Sequence, residues 1–228
     1  MGDVMSYKLE EMSAFFNARV ETYNVVHPGH IDGGMESKNI ISSFLPNNTK
    51  TIIDFGIGSG LELESIFRRF PNVEVTGLDI SENMLQLLKR SYPNKKMNLF
   101  CVSFLDSDFG ISRYDVALSV MAFHHYTHTV KTNLYRKIYN CIYPNGVYIE
   151  SDYMITDQNN ENAQRIEDFF FSEYKRLKEE QEITDSREYH YDTPCTVGNQ
   201  VKMLLDAGFA NVKEVWRREN TVILLAKR

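Results

Sequence analysis

TIIDFGIGSG, residues 51–60, joins an apolar, β-branched run to three glycines at alternate positions. The run predicts a buried strand, and the apolar side chains at helical spacing after it predict a helix. Glycine lets the backbone turn sharply and approach a ligand closely, because it carries no Cβ. The first turn of the following helix offers free backbone N–H groups. The segment therefore predicts a strand, a glycine loop and a helix that together form a ligand site.

Strand-like and helix-like patterns alternate from residue 51 onward, and five apolar runs indicate strands: 51–55, 73–78, 97–102, 114–120 and 146–151. Such strands separated by helices predict a parallel sheet covered on both faces. After a predicted helix, the last two strand-like runs are joined by only about five residues, so they must pair antiparallel. We predict an α/β fold with a doubly wound, mostly parallel sheet of seven strands that ends in an antiparallel hairpin.

The 228 residues fit one domain, residues 1–228, better than two. Residues 1–48 precede the first strand of the sheet and look helical, with Leu9, Met12 and Phe16 among the apolar side chains near one stripe. Residues 154–193 form an insertion whose middle, residues 161–182, is predicted to be a charged helix with several aromatic side chains. Both segments are too small to be domains. We expect the first to be a helical cap and the second to be a lid.

Composition limits the partners and the compartment. The formal net charge is −6, with basic residues only in scattered pairs, which disfavours a nucleic-acid substrate. No apolar run approaches the roughly 18–20 residues needed to cross a bilayer, so we expect no membrane association. The three cysteines are odd in number and far apart, which favours a reducing, cytoplasmic location and disfavours a zinc site.

An acid at the end of the second predicted strand strengthens the ligand prediction. Asp79 follows Gly60 by 19 residues. A carboxylate there can accept both ribose hydroxyl groups of a nucleoside that lies across the strand ends. The alternative is a surface aspartate that caps the helix beginning at Ser81. The spacing G-x-G-x-G differs from the dinucleotide fingerprint G-x-G-x-x-G, and Asp54 stands two residues before the first glycine, which counts against a nicotinamide-dependent oxidoreductase.

At these residues the chain resembles the class I S-adenosylmethionine-dependent methyltransferases, which have a Rossmann-like fold. The glycine loop, Asp79, the YDV start of the fourth strand at Tyr114 and the Pro144-Asn145-Gly146 turn occur in the order expected of that superfamily. The resemblance covers about residues 50–150 well and 195–228 moderately. Its motifs are specific for the superfamily and poorly specific for the substrate.

The resemblance implies S-adenosylmethionine as cofactor and suggests which residues bind it. The loop glycines would line its methionine and ribose parts, the acids would hold its amino group and ribose, and two apolar residues would pack on adenine. The segment from Phe16 to Tyr23 looks like a helix whose arginine or tyrosine reaches the cofactor carboxylate, unless these side chains are only solvated or packed. The expected cofactor-binding residues are Arg19, Tyr23, Asp54, Gly56, Gly58, Gly60, Asp79, Ile80, Met84, Ser103, Phe104 and Ser119.

One position departs from the pattern of the resemblance. Relatives often carry an aspartate after the third strand that reads the adenine amino group, and Ser103 stands at the matching place. Its hydroxyl group or the Phe104 backbone would have to replace that contact. Asp106 is a nearby alternative.

The fourth strand ends in Ser119-Val-Met-Ala-Phe-His124-His125, beside the expected methyl group. Methyl transfer mainly requires positioning of the nucleophile, and a base with a pKa near neutral helps when the nucleophile carries a proton. His124 and His125 are the catalytic candidates, although either could instead order the loop. Glu150, Asp152 and the segment 190–192 are weaker candidates for acceptor contacts. Adjacent histidines do not have metal-ligand spacing, and we expect no metal.

These features predict methyl transfer from S-adenosylmethionine to a small-molecule acceptor by in-line displacement. The alternatives are an enzyme similar to carboxy-S-adenosylmethionine synthase, which would need a positive group beside the methyl group, and a non-catalytic nucleoside-binding domain. The sequence leaves open the acceptor, its nucleophilic atom, and whether the chain is a monomer or a homodimer.

Overall fold

The computed structural model describes residues 7–26, 31–157 and 159–228, and in 23–26 only the backbone. The strands are β1 Glu10–Glu11, β2 Thr51–Phe55, β3 Glu74–Asp79, β4 Met97–Cys101, β5 Tyr114–Val120, β6 Ile142–Tyr153, β7 Tyr189–His190, β8 Ala210–Arg218 and β9 Thr221–Lys227. The α-helices are α1 Met12–Val26, α2 Gly34–Ile40, α3 Leu63–Arg69, α4 Glu82–Ser91, α5 His128–Cys141, α6 Asn160–Glu180 and α7 Val197–Asp206.

Seven strands form one sheet in the order β4-β3-β2-β5-β6-β9-β8. The first five are parallel, and β9 runs antiparallel to both of its neighbours, β6 and β8. Helices α5 and α7 pack on one face, and α3 and α4 pack on the other. The predicted seven-stranded α/β fold, with its antiparallel C-terminal hairpin, is confirmed.

The connection from α5 to β6 differs from the prediction. We expect the helix to stop at Pro144-Asn145-Gly146, but α5 ends at Cys141 and β6 begins at the next residue. The three turn residues lie within β6, where Asn145 has a φ of 69° and the pairing with β5 shifts between Tyr114 and Val116. The glycine and proline signals therefore mark an irregularity in a strand and not the end of a helix.

The two segments outside the alternating pattern contact each other. β1 pairs antiparallel with β7, so that Glu10 faces His190 and Glu11 faces Tyr189. A small apolar cluster of Leu9, Leu177 and Tyr189 joins this two-stranded sheet to α6. The N-terminal segment and the insertion are thus parts of one layer. Within the described residues, no helix is both long enough and apolar enough to cross a membrane.

Candidate active site

A cavity of about 50 Å³ lies at the carboxyl ends of β2, β3 and β5, beneath α1. Parallel strands place their carboxyl ends along one edge of the sheet, so the loops after three strands converge there. The residues that line it are Met12, Phe16, Gly56, Gly58, Asp79, Ile80, Met84, Phe104, Met121, Ala122, His125 and Tyr126.

The glycine loop forms one wall of this cavity. Gly56 has a φ of 74°, and a Cβ there would lie 2.6 Å from the Cβ of Ala122, so only glycine fits. Gly58 has a φ of 52°, and a Cβ there would lie 4.0 Å from Asp79 Oδ2, so the backbone conformation and not a lack of space favours glycine. Its N–H group donates to Asp79 Oδ2 at 2.7 Å, and Ser81 N–H donates to Oδ1 at 2.8 Å. Burial raises the pKa of Asp79 to about 6 despite these bonds.

Two further acids are buried behind the loop. Asp54 is fully buried, and neither of its carboxylate oxygens finds a hydrogen-bond donor in the described part of the chain. Burial and the neighbouring Glu62 raise the pKa of Asp54 well above its usual range. Burial also raises the pKa of Glu62 to about 7, although the buried Lys38 opposes this shift. A buried acid without a donor is costly, so a cationic ligand group would be bound favourably here.

Three apolar side chains line the cavity beside the glycine loop and form an apolar slot: Ile80, Met84 and Phe104. Ser103 does not line it. The Ser103 hydroxyl group donates a short hydrogen bond to Glu188 Oε1 and accepts one from Leu105 N–H at 3.1 Å. The aromatic and thioether side chains of this slot suit a flat heterocycle.

The adjacent histidines have different environments. Nδ1 of His124 lies 2.5 Å from Asp152 Oδ1, whose Oδ2 accepts the N–H groups of Phe123 and His124 at 2.9 Å. Burial opposes a charge on His124, but Asp152 outweighs it, and the pKa of His124 is raised. His125 lines the cavity, and burial together with the charge on His124 lowers its pKa. Hence His124 is the charged member of the pair and His125 the neutral one.

The insertion supplies two more groups beside His125. Asp192 Oδ1 lies 3.0 Å from Nδ1 of His125 and 3.7 Å from Nε2 of His124. The ring of His190 stacks on Phe15, with the centroids 3.5 Å apart, and lies 4.8 Å from the ring of His125. Burial, reinforced by His125, lowers the pKa of His190 to about 3, so this ring is neutral.

Several predicted site residues lie away from the cavity wall. Arg19 pairs with Glu10 at 2.9 Å and lies over the Phe15 ring, 3.7 Å from its centroid. The side chain of Tyr23 is outside the described residues. Gly60 and Ser119 are buried behind the wall, and Ser119 is the register partner of Phe55. The cofactor roles of these four residues remain predictions.

The acids at the end of β6 point into the protein. Glu150 is fully buried and accepts hydrogen bonds from Tyr135 at 2.9 Å and Tyr148 at 3.1 Å, while Asp152 holds the histidine loop. Neither acid lines the cavity, so neither is placed to contact an acceptor directly.

Two trios of described side chains have potential ligand atoms within 4.8 Å of one another: His124, His125 and Asp192, and His128, Glu167 and Cys195. In each trio a histidine ring nitrogen already lies close to a carboxylate oxygen. The absence of a metal remains a prediction.

The prediction from sequence missed part of the cavity lining. Met121, Ala122 and Tyr126 flank the histidine pair, and their position at the end of β5 was the available signal. Met12 reaches the cavity because its N–H group donates to Glu188 O at 2.8 Å, a contact between distant segments that leaves no local pattern.

Comparisons with known proteins agree with this site. Residues 52–146, which include the glycine loop, Asp79 and His125, match the methyltransferase domain family. Residues 52–146 thus carry a methyltransferase domain of the kind found in class I S-adenosylmethionine-dependent methyltransferases. S-adenosylmethionine fits the residues present: Asp54 is a buried acid without a donor, and Gly58 and Asp79 stand together on the cavity wall.

Two curated relatives align with most of this chain. Carboxy-S-adenosyl-L-methionine synthase from Nautilia profundicola is 28% identical over 82% of this chain and 81% of its own. Phosphoethanolamine N-methyltransferase from Plasmodium falciparum is 25% identical over 80% of this chain and 67% of its own. Human N-acetylserotonin methyltransferase, solved with its cofactor, superposes with a TM-score of 0.62 at 15% identity, over 94% of this chain. This chain spans only 55% of that structure's length, and the likeness concerns the fold.

Proposed function

We propose that the chain methylates a proton-bearing nucleophile of a small molecule, with His125 as general base. The observation that carries this proposal is the imidazole of His125 on the cavity wall, 3.0 Å from Asp192: the pKa of His125 is lowered while that of its neighbour His124 is raised. A general base is useful only if it is unprotonated at working pH. The opposite pKa shifts of the two histidines favour that state for His125.

When bound, S-adenosylmethionine supplies an activated methyl group on its sulfonium. The chain positions the acceptor in line with that group, and His125 takes the proton that the nucleophile loses as its bond to carbon forms. His124 and Asp152 fix the loop on which His125 stands. Met12 and Phe16 of α1 line the cavity with apolar side chains.

An assay for S-adenosylhomocysteine release, with a panel of amines, phenols and thiols, tests the proposal. With an acceptor in hand, His125→Ala should lower kcat by at least about 100-fold and change the Kd of S-adenosylhomocysteine little. His124→Ala should lower the melting temperature and the cofactor affinity together, since it removes a buried ion pair. Near-normal turnover in His125→Ala would contradict the base assignment.

The synthase-like alternative is favoured by the identity to the Nautilia protein but not by the cavity. A carboxylate on the methyl group calls for a nearby cation, and no lysine or arginine is among the described residues that line the cavity. Mass spectrometry of nucleosides that copurify with the chain distinguishes the two functions. A nucleoside heavier than S-adenosylmethionine by one carboxyl group would favour the synthase.

We also propose that residues 1–48 and 154–193 act as one cap and lid over a single domain, because β1 and β7 join them. Limited proteolysis should show slower cleavage in both segments when S-adenosylhomocysteine is added. A cytoplasmic location and a homodimer remain predictions, which cell fractionation and light scattering test.

A further inference from the structure

Residues 188–192, which include β7, form an extended strip beside the cavity. Alternate residues of this strip lie on the same side. Glu188 contacts Ser103 and Tyr126, His190 contacts the ring of His125, and Asp192 contacts its Nδ1. The intervening side chains face away: Tyr189 joins the apolar cluster of Leu9 and Leu177, and Tyr191 stacks on Tyr174. A strand rises about 3.3 Å per residue, so the strip spans roughly 13 Å. It reaches from the apolar slot to His125.

Glu188 is the acid of this strip at the slot end. Its Oε2 accepts a hydrogen bond of 2.5 Å from the hydroxyl group of Tyr126, a residue of the cavity wall. Its Oε1 accepts one from Ser103, whose neighbour Phe104 lines the slot. Each carboxylate oxygen has a second lone pair, so both can accept one more hydrogen bond. The side chain is therefore anchored and still able to bind a donor.

A purine in the slot would present such a donor. The faces of adenine suit the apolar slot, but its exocyclic amino group needs an acceptor, because burying an unpaired N–H group is costly. Asp79 accepts the N–H groups of Gly58 and Ser81 and is the acid expected to face the ribose. A carboxylate is an acceptor only, and it forms stronger hydrogen bonds than a neutral oxygen does.

We infer that Glu188 is a cofactor-binding residue whose carboxylate, with Ser103, accepts a hydrogen bond from the adenine 6-amino group. The insertion thus carries the group that recognises adenine. Asp192 lies four residues further along the same strip. The contact that selects adenine therefore also places the insertion against His125. This inference depends on cofactor binding and not on the identity of the acceptor.

Calorimetry with two ligands tests it: S-adenosylhomocysteine, and its analogue with hydrogen in place of the 6-amino group. The native chain should bind S-adenosylhomocysteine roughly 10-fold more tightly than the analogue. Glu188→Ala should abolish that preference while it leaves the affinity for the analogue nearly unchanged. Glu188→Gln keeps a carbonyl acceptor and should retain part of the preference. Glu179→Gln, an exposed change on α6 in the same insertion, is the matched control.

A merely structural role would have a different signature. If Glu188 only braced Tyr126 and Ser103, its replacement would weaken both ligands by the same factor, and the preference for the amino group would persist. That result in Glu188→Ala would overturn the inference. Analogue binding also reports whether each variant is folded. Failure here would leave the proposed methyl transfer unaffected, because that rests on His125.

Discussion

Asp79 keeps its carboxylate at the cavity wall although both oxygens accept backbone N–H groups. Asp79→Asn replaces one acceptor oxygen by a donor, so it should weaken S-adenosylhomocysteine binding by about 10-fold or more. The pKa of about 6 also predicts that native affinity falls as pH drops from 7 to 5, because protonation removes an acceptor. Calorimetry across this range measures both effects. Asp106→Asn, an exposed change in the loop after β4, should alter neither.

Unchanged affinity in Asp79→Asn would show that this carboxylate only shapes the loop. A native affinity that stays flat from pH 7 to 5 would contradict the proposed acceptor role as well. Asp54 and Glu62 also titrate with raised pKa values, so the variant should show a shallower pH dependence and not a flat one.

The residues of the glycine loop could be predicted from sequence because their roles depend on local backbone geometry. Asp79 is found by the same reasoning, since it ends the neighbouring strand. Glu188 could not be predicted this way. It meets Ser103 across 85 positions of sequence, through a two-stranded sheet whose strands have only two residues each. Periodicity cannot detect strands that short.

At the scale of elements, a charged pair between Glu167 and His128 joins α6 to α5. Glu167 of α6 is fully buried and contacts Nε2 of His128, the first residue of α5. Hydrogen bonding to Cys195 and to Glu167 raises the pKa of His128 to about 9. A raised histidine pKa stabilises the folded state fully below the unfolded pKa of about 6.5, and this contribution is lost as pH rises through about 9.

His128→Gln should therefore lower the melting temperature at pH 6 and have little effect at pH 10. Thermal unfolding of the native chain and the variant over this range measures the difference. His190→Gln is a useful control, because its neutral ring predicts no loss of such a contribution between pH 6.5 and 9. An equal destabilisation by His128→Gln at both pH values would indicate that only packing ties α6 to the core.

Strands were the elements that the sequence predicted best. The predicted limits of β2 and β5 agree with the structure, because buried parallel strands are continuous apolar runs. The end of α5 was misplaced by three residues or so, because Pro144 and Gly146 are also compatible with an irregular strand. The charged helix of the insertion was predicted as 161–182 and is observed as Asn160–Glu180.

Charge is a property of the whole molecule that bears on its partners. The net charge is −6, and several basic side chains already pair with acids, among them Arg68 with Glu64 and Lys96 with Glu74. Binding to a phosphate backbone requires a basic surface and weakens steeply with salt. We therefore expect no retention of transfer RNA or duplex DNA in a filter-binding assay at about 50 mM salt. Salt-sensitive binding would contradict the prediction of a small-molecule acceptor.

The position of β9 has a consequence for biosynthesis. This strand comes late in the chain, at Thr221–Lys227, yet it lies inside the sheet between β6 and β8. During translation, one edge of β6 stays unpaired until the ribosome has synthesised some 70 further residues. An unpaired β-edge can recruit other chains. The nascent protein should thus depend most on chaperones in the interval between the synthesis of β6 and that of β9.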